Sequence, residues 1–290
     1  MTPRVSVIVP CFNDGRLAIE AVHSVAESEP VELVVVDDGS TEPETREALA
    51  ELEDCGVRVV RRENGGLSAA RMTGVSGTSA PYIYPLDSDD QLVPGALGRM
   101  ADALDRHPDA GFAFGDLEIF GDFRGLYPSP PEFSRWAQTW ANFIPVGSLI
   151  RRGALEQVGA WESLGPDVPS GYEDWDLWLK LGESGWTGVR VPGIVYRRRR
   201  VKGIRMLGRA RPRHRDLIKR LRERHPTSFE RRRALARAER IPLRRRLAYP
   251  VLFGIRNTNL VPHALEDRII LRYMEWRLRR EETSRAVTAR

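Results

Sequence analysis

Three short apolar runs, each stopping abruptly in polar or acidic residues, constrain this chain more than any other feature. Val5-Ser6-Val7-Ile8-Val9 leads into Pro10-Cys11-Phe12-Asn13. Leu33-Val34-Val35-Val36 leads into Asp37-Asp38-Gly39-Ser40, and Tyr82-Ile83-Tyr84-Pro85-Leu86 into Asp87-Ser88-Asp89-Asp90. β-Branched and aromatic runs of this length read as buried strands that leave the core at their carboxyl ends. Residues with helical spacing lie between them: Ala18 to Val25, Glu42 to Leu52 with Thr41 as N-cap, and Leu67 to Val75, entered through Asn64-Gly65-Gly66. Val57 to Val60 and Gly111 to Leu117 add two strands, and Pro94 to Leu104 a helix with Leu97, Met100, Ala101 and Leu104 on one face. Strands alternating with helices predict an α/β fold, a mostly parallel sheet with helices on both faces. Such sheets bind ligands beyond the carboxyl ends of their strands, where these polar residues fall.

The acids in Asp87-Ser88-Asp89-Asp90 repel one another unless a cation sits between them. Oxygen ligands suit hard ions, so Mn2+ or Mg2+ is the expected cofactor. The dinucleotide fingerprint Gly-x-Gly-x-x-Gly is missing after the first strand, which argues against a nicotinamide or flavin enzyme. Two cysteines, Cys11 and Cys55, do not make a disulfide framework and fit a reducing compartment. The first strand begins almost at Met1, so no signal peptide is expected, and Leu247 to Ile255 is too short and too broken to span a bilayer. A cytoplasmic location is expected.

Charge divides the chain. Residues 197–290 hold 30 Lys+Arg against 9 Asp+Glu, a charge of +21. The chain totals are 45 and 40, which leaves residues 1–196 with 15 against 31, or −16. Two regions follow: an acidic catalytic domain over 1–205 and a basic, mainly helical extension over 206–290.

Five motifs then occur in order: Val5 to Asn13, Val35 to Thr41, Asn64-Gly65-Gly66-Leu67-Ser68-Ala69-Ala70-Arg71, Leu86 to Asp90, and Glu173-Asp174-Trp175-Asp176. Together they resemble the family 2 inverting glycosyltransferases with the GT-A fold, over roughly the first two hundred residues. The resemblance implies a nucleotide-diphospho sugar donor of the UDP or dTDP type, a hydroxyl acceptor and a divalent metal. It implies that Pro10 and Cys11 lie against the nucleoside and that Asp38 accepts the imide N–H of a uracil-type base. Arg71 would face a base carbonyl. Asp87, beside Ser88, would reach the ribose or the metal, and Asp89 would bind the metal. Asp174 would be the general base, with Glu173 positioning it or the acceptor. Trp136, Trp140 and Trp175 are candidate acceptor contacts, with core packing as the alternative.

The chain departs from the family in one place. Many members carry a His after the strand that ends here at Tyr196, whereas this chain reads Arg197-Arg198-Arg199-Arg200. Arg199 is the candidate diphosphate contact, because a guanidinium forks onto phosphate but cannot ligate a metal. The Gln-x-x-Arg-Trp motif of processive relatives is absent, which favours transfer of one sugar over polymerisation. In the extension, Leu217, Ile218 and Leu221, and later Ile269, Ile270, Tyr273 and Met274, predict amphipathic helices. They pack on the catalytic domain or a second subunit, or dock on anionic lipid at the inner face of the membrane. Nucleic acid is disfavoured, since aromatics are sparse among the arginines. Two alternatives remain at this point. A sugar nucleotidyltransferase would want a basic Gly-rich loop after the first strand, and a non-catalytic nucleotide-sugar binding module would show no transfer.

Overall fold

The computed structural model describes residues 2–122, 124–165, 167–168, 171–200 and 213–254. Strand β1 (Val5–Cys11) is buried along its whole length, because both sheet faces are covered. It pairs in parallel with β2 (Glu32–Asp37) on one side and β4 (Tyr82–Pro85) on the other, and β3 (Arg58–Arg61) adds to β2. The helices between them are α1 (Leu17–His23), α2 (Pro43–Asp54) and α3 (Leu67–Ser76). This is the alternating half that the sequence predicts. The start of α2 differs. Glu42 stands at its N-cap without a side-chain bond, and Pro43, preset for a first helical turn, follows it. Thr41 accepts from Asn13 Nδ2 at 3.2 Å instead.

Beyond β4 the sheet becomes mixed. After the two-residue β5 (Gln91–Leu92) and α4 (Ala96–Arg106) come β6 (Ala110–Gly121), β7 (Gly125–Tyr127), α5 (Arg135–Gln138), β8 (Leu149–Arg151), α6 (Arg152–Gln157), α7 (Glu173–Glu183) and β9 (Thr187–Arg200). The strand order is β3-β2-β1-β4-β8-β6-β9-β5, with β7 paired to β6. β8 runs antiparallel to both β4 and β6, while β6 and β9 run parallel through several register shifts.

Two apolar clusters cover the two faces. Val7, Val9, Leu49, Leu97 and Leu104 lie in one, and Ile8, Ile83, Phe112, Leu177 and Trp178 in the other. Ile8 and Ile83 are fully buried, and each such side chain contributes about 1.5–3 kcal/mol. Gly74 of α3 permits the close approach to β1, since a Cβ there would stand 2.3 Å from Ile8 Cγ2.

The described part of the basic extension is helical: α8 (His214–Arg224), α9 (Pro226–Glu230), α10 (Arg232–Ala238) and α11 (Leu243–Leu252). Leu217, Ile218 and Leu221 pack on Trp175 and Leu179 of α7. Tyr249 and Phe253 join Trp136 and Ala141 in a fourth cluster. The expected boundary at residues 205/206 and the expected helix around Ile269, Ile270, Tyr273 and Met274 lie outside the described residues. Among the described residues, no helix is long and apolar enough to cross a membrane.

Candidate active site

The loops after β1, β2 and β4 are tied together at the carboxyl ends of these strands. Asn13 Oδ1 accepts the backbone N–H groups of Thr41, at 2.8 Å, and Glu42, at 3.1 Å. The Ser88 hydroxyl donates to Asp14. Cys11, buried, accepts the backbone N–H of Asp38 at 2.9 Å, with Pro10 before it in β1. Asp38 is buried as well. Its Oδ1 accepts Gly65 N at 3.0 Å and lies 3.3 Å from Arg62, and its Oδ2 accepts Gly66 N at 2.8 Å. The carboxylate therefore fixes the loop that enters α3. Gly39 follows with φ +76°, and a Cβ there would meet Asn64 N at 2.9 Å. Glycine is required on both counts.

Arg71 departs from its expected place at a base carbonyl. It is fully buried, donating to Asp87 at 2.7 Å and to Glu173 at 3.1 Å, with its guanidinium 5.6 Å from the Trp161 ring centroid. A charge this deep requires close partners, and two carboxylates supply them. Arg71 thus clasps the end of β4 to the start of α7. Glu173 is locked at its other oxygen by Gly171 N at 2.7 Å. Tyr172 turns the chain into α7 with φ +65°, a left-handed conformation that is uncommon for a tyrosine.

Asp174 comes next, half-buried. Its Oδ2 accepts Asn142 Nδ2 at 2.8 Å and its Oδ1 accepts Trp175 N at 2.8 Å. Burial and the neighbouring Glu173 charge push its carboxyl up to about 6, against the pull of Arg71 and Arg198. Such a group holds a proton weakly enough to give it up near neutrality, yet is basic enough to take one.

The acids after β4 divide the work. Asp90 is buried; Tyr196 OH donates to it and Arg199 N donates to it at 2.7 Å. It secures β9, and burial with the charge of Asp89 pushes it up to about 8. Asp89 is half-buried and pushed up to about 6 by burial and by the charges of Asp87 and Asp14. Asp87 is buried, with one oxygen on Arg71.

Asp87 and Asp89 are oxygen donors of the type a hard cation takes. Such an ion would offset both the burial and the neighbouring charges that raise Asp89. Among the described residues no group of three or more His, Cys, Asp and Glu gathers into a metal cage. Two carboxylates suit an ion of the Mg2+ type, which completes its octahedron with water and ligand phosphates.

The arginine run resolves by strand alternation. Arg197 and Arg199 lie against the Phe120 ring, at 4.8 and 4.6 Å. Arg199 also bonds the Asp89 carbonyl at 3.0 Å and the Glu20 carboxylate. Arg198, half-buried, shares the strand face of Tyr196; burial lowers its pKa, but Tyr196 and the charges of Asp90, Asp87 and Asp174 raise it above its ordinary value. The sequence singles out Arg199; Arg198, on the opposite strand face, is a second arginine near the acids after β4. The signal was the period of two from the inward Tyr196.

The tryptophans are packing residues. Trp136 and Trp175 are each 3% exposed. Trp136 packs on Tyr249 at 4.7 Å, and Trp175 Nε1 donates to Gln138 O at 2.8 Å. Trp140 lies under Arg232, 4.1 Å from its ring. Trp136 and Trp175 thus follow the packing alternative, while Trp140 stays half-buried.

Residues 6–159 match the family described as Glycosyl transferase family 2. The chain belongs to that family. Its fold is of the GT-A type. The Sinorhizobium fredii protein y4gI is 32% identical over 189 residues, covering 62% of this chain but only 20% of its own length. The Bacillus subtilis glycosyltransferase YwdF is 26% identical over 207 residues, 67% of this chain and 74% of its own. Among solved structures, S. aureus TarS 1-349 in complex with UDP-GlcNAc superposes with TM-score 0.61 at 17% identity, over 84% of this chain and 77% of that one. This likeness carries the fold.

Proposed function

We propose that the enzyme transfers a single sugar from a nucleotide-diphospho sugar of the UDP or dTDP type to a hydroxyl acceptor, with inversion, in polysaccharide, glycolipid or glycoconjugate synthesis. One observation carries the reading. Asp174 is a half-buried carboxylate with a raised pKa, oriented by Asn142 and joined through Glu173 and Arg71 to the acids after β4. In this reading Asp174 takes the proton of the acceptor hydroxyl as its oxygen attacks the anomeric carbon opposite the nucleotide. The bond from that carbon to the diphosphate breaks, leaving its electron pair on the phosphate oxygen. One in-line displacement inverts the centre, as in inverting glycoside chemistry.

Pro10, Cys11 and Asp38 line the nucleoside. Asp38 Oδ2, with one N–H donor, retains a lone pair for an imide N–H. A uridine donor is further supported by the UDP-GlcNAc complex of TarS. Asp89 and Asp87 would hold Mn2+ or Mg2+, which when bound stabilises charge on the departing diphosphate. Arg198 contributes a fixed positive charge on the same side.

Asp174→Asn tests this. Transfer falls by about 10²–10⁴-fold, while UDP affinity stays at the wild-type value. The product of the wild-type enzyme carries the anomeric configuration opposite to the donor, read by NMR. Retention of configuration, or loss of UDP binding together with transfer in the variant, sinks the proposal.

A further inference from the structure

Helix α11 has two apolar faces. Its inner face is accounted for: Tyr249 lies 4.7 Å from Trp136, and Phe253, just past its end, lies 5.2 Å from Phe143. That packing fixes the rotation of the helix. On the opposite side Leu243, Leu247 and Val251 are 65%, 66% and 60% exposed. They follow one another at intervals of four, which stacks them in a single stripe. Only two other large apolar side chains among the described residues are exposed, Phe12 and Leu126, at 41% and 43%. Exposed Arg244 and Arg246 lie on the two flanks of the stripe. Residues 231–254 carry eight arginines and one glutamate, and that Glu239 is occupied by Ser134 at 2.6 Å.

We propose that the outer face of α11, the Leu243–Leu247–Val251 stripe with Arg244 and Arg246 beside it, docks on the surface of an anionic lipid bilayer. The inference goes beyond the glycosyl transfer reading and stands without it. A helix with an apolar face, basic flanks and a length of only ten residues lies in the interface rather than crossing it. Three side chains are a small apolar area, so headgroup charge must supply much of the attraction, which makes binding dependent on anionic lipid and on salt. Charge decides against the other occupants. A second copy set face to face would bring the Arg244 and Arg246 rows against their own kind. Residues 255–290, outside the described residues, hold eight arginines against five acids, again the same sign. Docking would bring the candidate base close to the bilayer. Phe143, which packs on Tyr249 and edge-on against Phe253, follows directly on Asn142, the partner of Asp174.

The test is flotation of the full-length chain with phosphatidylcholine vesicles, with and without phosphatidylglycerol. The protein is expected to float only with the anionic vesicles, and less as salt rises. The triple change Leu243→Asp, Leu247→Asp, Val251→Asp is expected to cut recovery at least about tenfold while keeping the wild-type melting temperature. Arg244→Glu with Arg246→Glu is expected to lower it too. Three results each overturn the proposal: wild-type protein that stays at the bottom with both vesicles; a triple variant that floats like wild type; or a wild-type dimer in light scattering that the triple change makes monomeric, which assigns the stripe to a second copy.

Discussion

At the scale of single residues, the acid pairings decide what each carboxylate is able to do. Asp174 is pushed up to about 6 by burial and Glu173, and it acts as a base only when deprotonated. The pH profile of kcat/KM is therefore expected to lose about tenfold per unit below about pH 6. A profile flat down to pH 5 contradicts Asp174 as the base. Arg71 makes the second residue-scale prediction. Replacing it with Met leaves Asp87 and Glu173 buried without the guanidinium they share, and urea denaturation is expected to report a loss of about 3–5 kcal/mol. The motifs revealed that these residues belong together, but the sequence could not reveal which faces stay open. Arg71 reads as a ligand contact from its motif and is a clasp in the fold, because contacts 16 and 102 residues away decide its surroundings. Arg198 and Arg199 are equivalent in composition, and only strand direction separates them.

At the scale of elements, the parallel strands β1, β2 and β4 were legible because each is a short apolar run ending in a polar loop. The antiparallel β8 and the long β6 were less so. β8 has three residues, and the outer half of β6, from Asp116 on, is mostly half-exposed, with only Ile119 buried. The seating of the C-terminal helices was not legible at all, since it depends on a charged cluster under α7. His225, at the start of α9, is buried between Asp176, at 3.0 Å, and Glu183, at 2.8 Å, with Lys180 and Arg224 also facing Asp176. The two carboxylates raise His225 above its ordinary value against the effect of burial. Its stabilising contribution is therefore complete below about pH 6.5, the unfolded value, and is lost as pH rises through the higher folded value. Glu183 is shifted the other way, to about 2, so its contribution is present above its ordinary value and disappears only in strong acid. Amide exchange in residues 214–238 is expected to quicken on raising pH through the His225 transition, beyond the intrinsic pH effect. In a His225→Gln variant that additional step is expected to vanish; a step of unchanged size in the variant would remove His225 from the account.

At the scale of the whole molecule, the charge asymmetry visible in the sequence acquires a physical meaning from the fold. The sheet edge that carries the candidate site belongs to the segment of charge −16. A nucleoside diphosphate is itself an anion, so its phosphates need local cations to enter that field. Two sources are proposed: an ion that Asp89 and Asp87 would hold, and the side chain of Arg198 near the end of β9. They act on the same charge, so each matters more when the other is missing. Calorimetry with UDP and with uridine separates them from base recognition. Mn2+ is expected to tighten UDP by at least about tenfold and to leave uridine unchanged, because only the diphosphate meets the ion. Arg198→Ala is expected to weaken UDP most strongly in EDTA and to leave uridine unchanged in either condition, whereas Arg199→Ala, whose side chain is occupied by Glu20 and Phe120, has the smaller effect. Equal weakening of UDP and uridine in Arg198→Ala would mean that this arginine shapes the crevice rather than meeting phosphate. A UDP affinity indifferent to Mn2+ in both wild type and Arg198→Ala would remove the metal from Asp89 and Asp87.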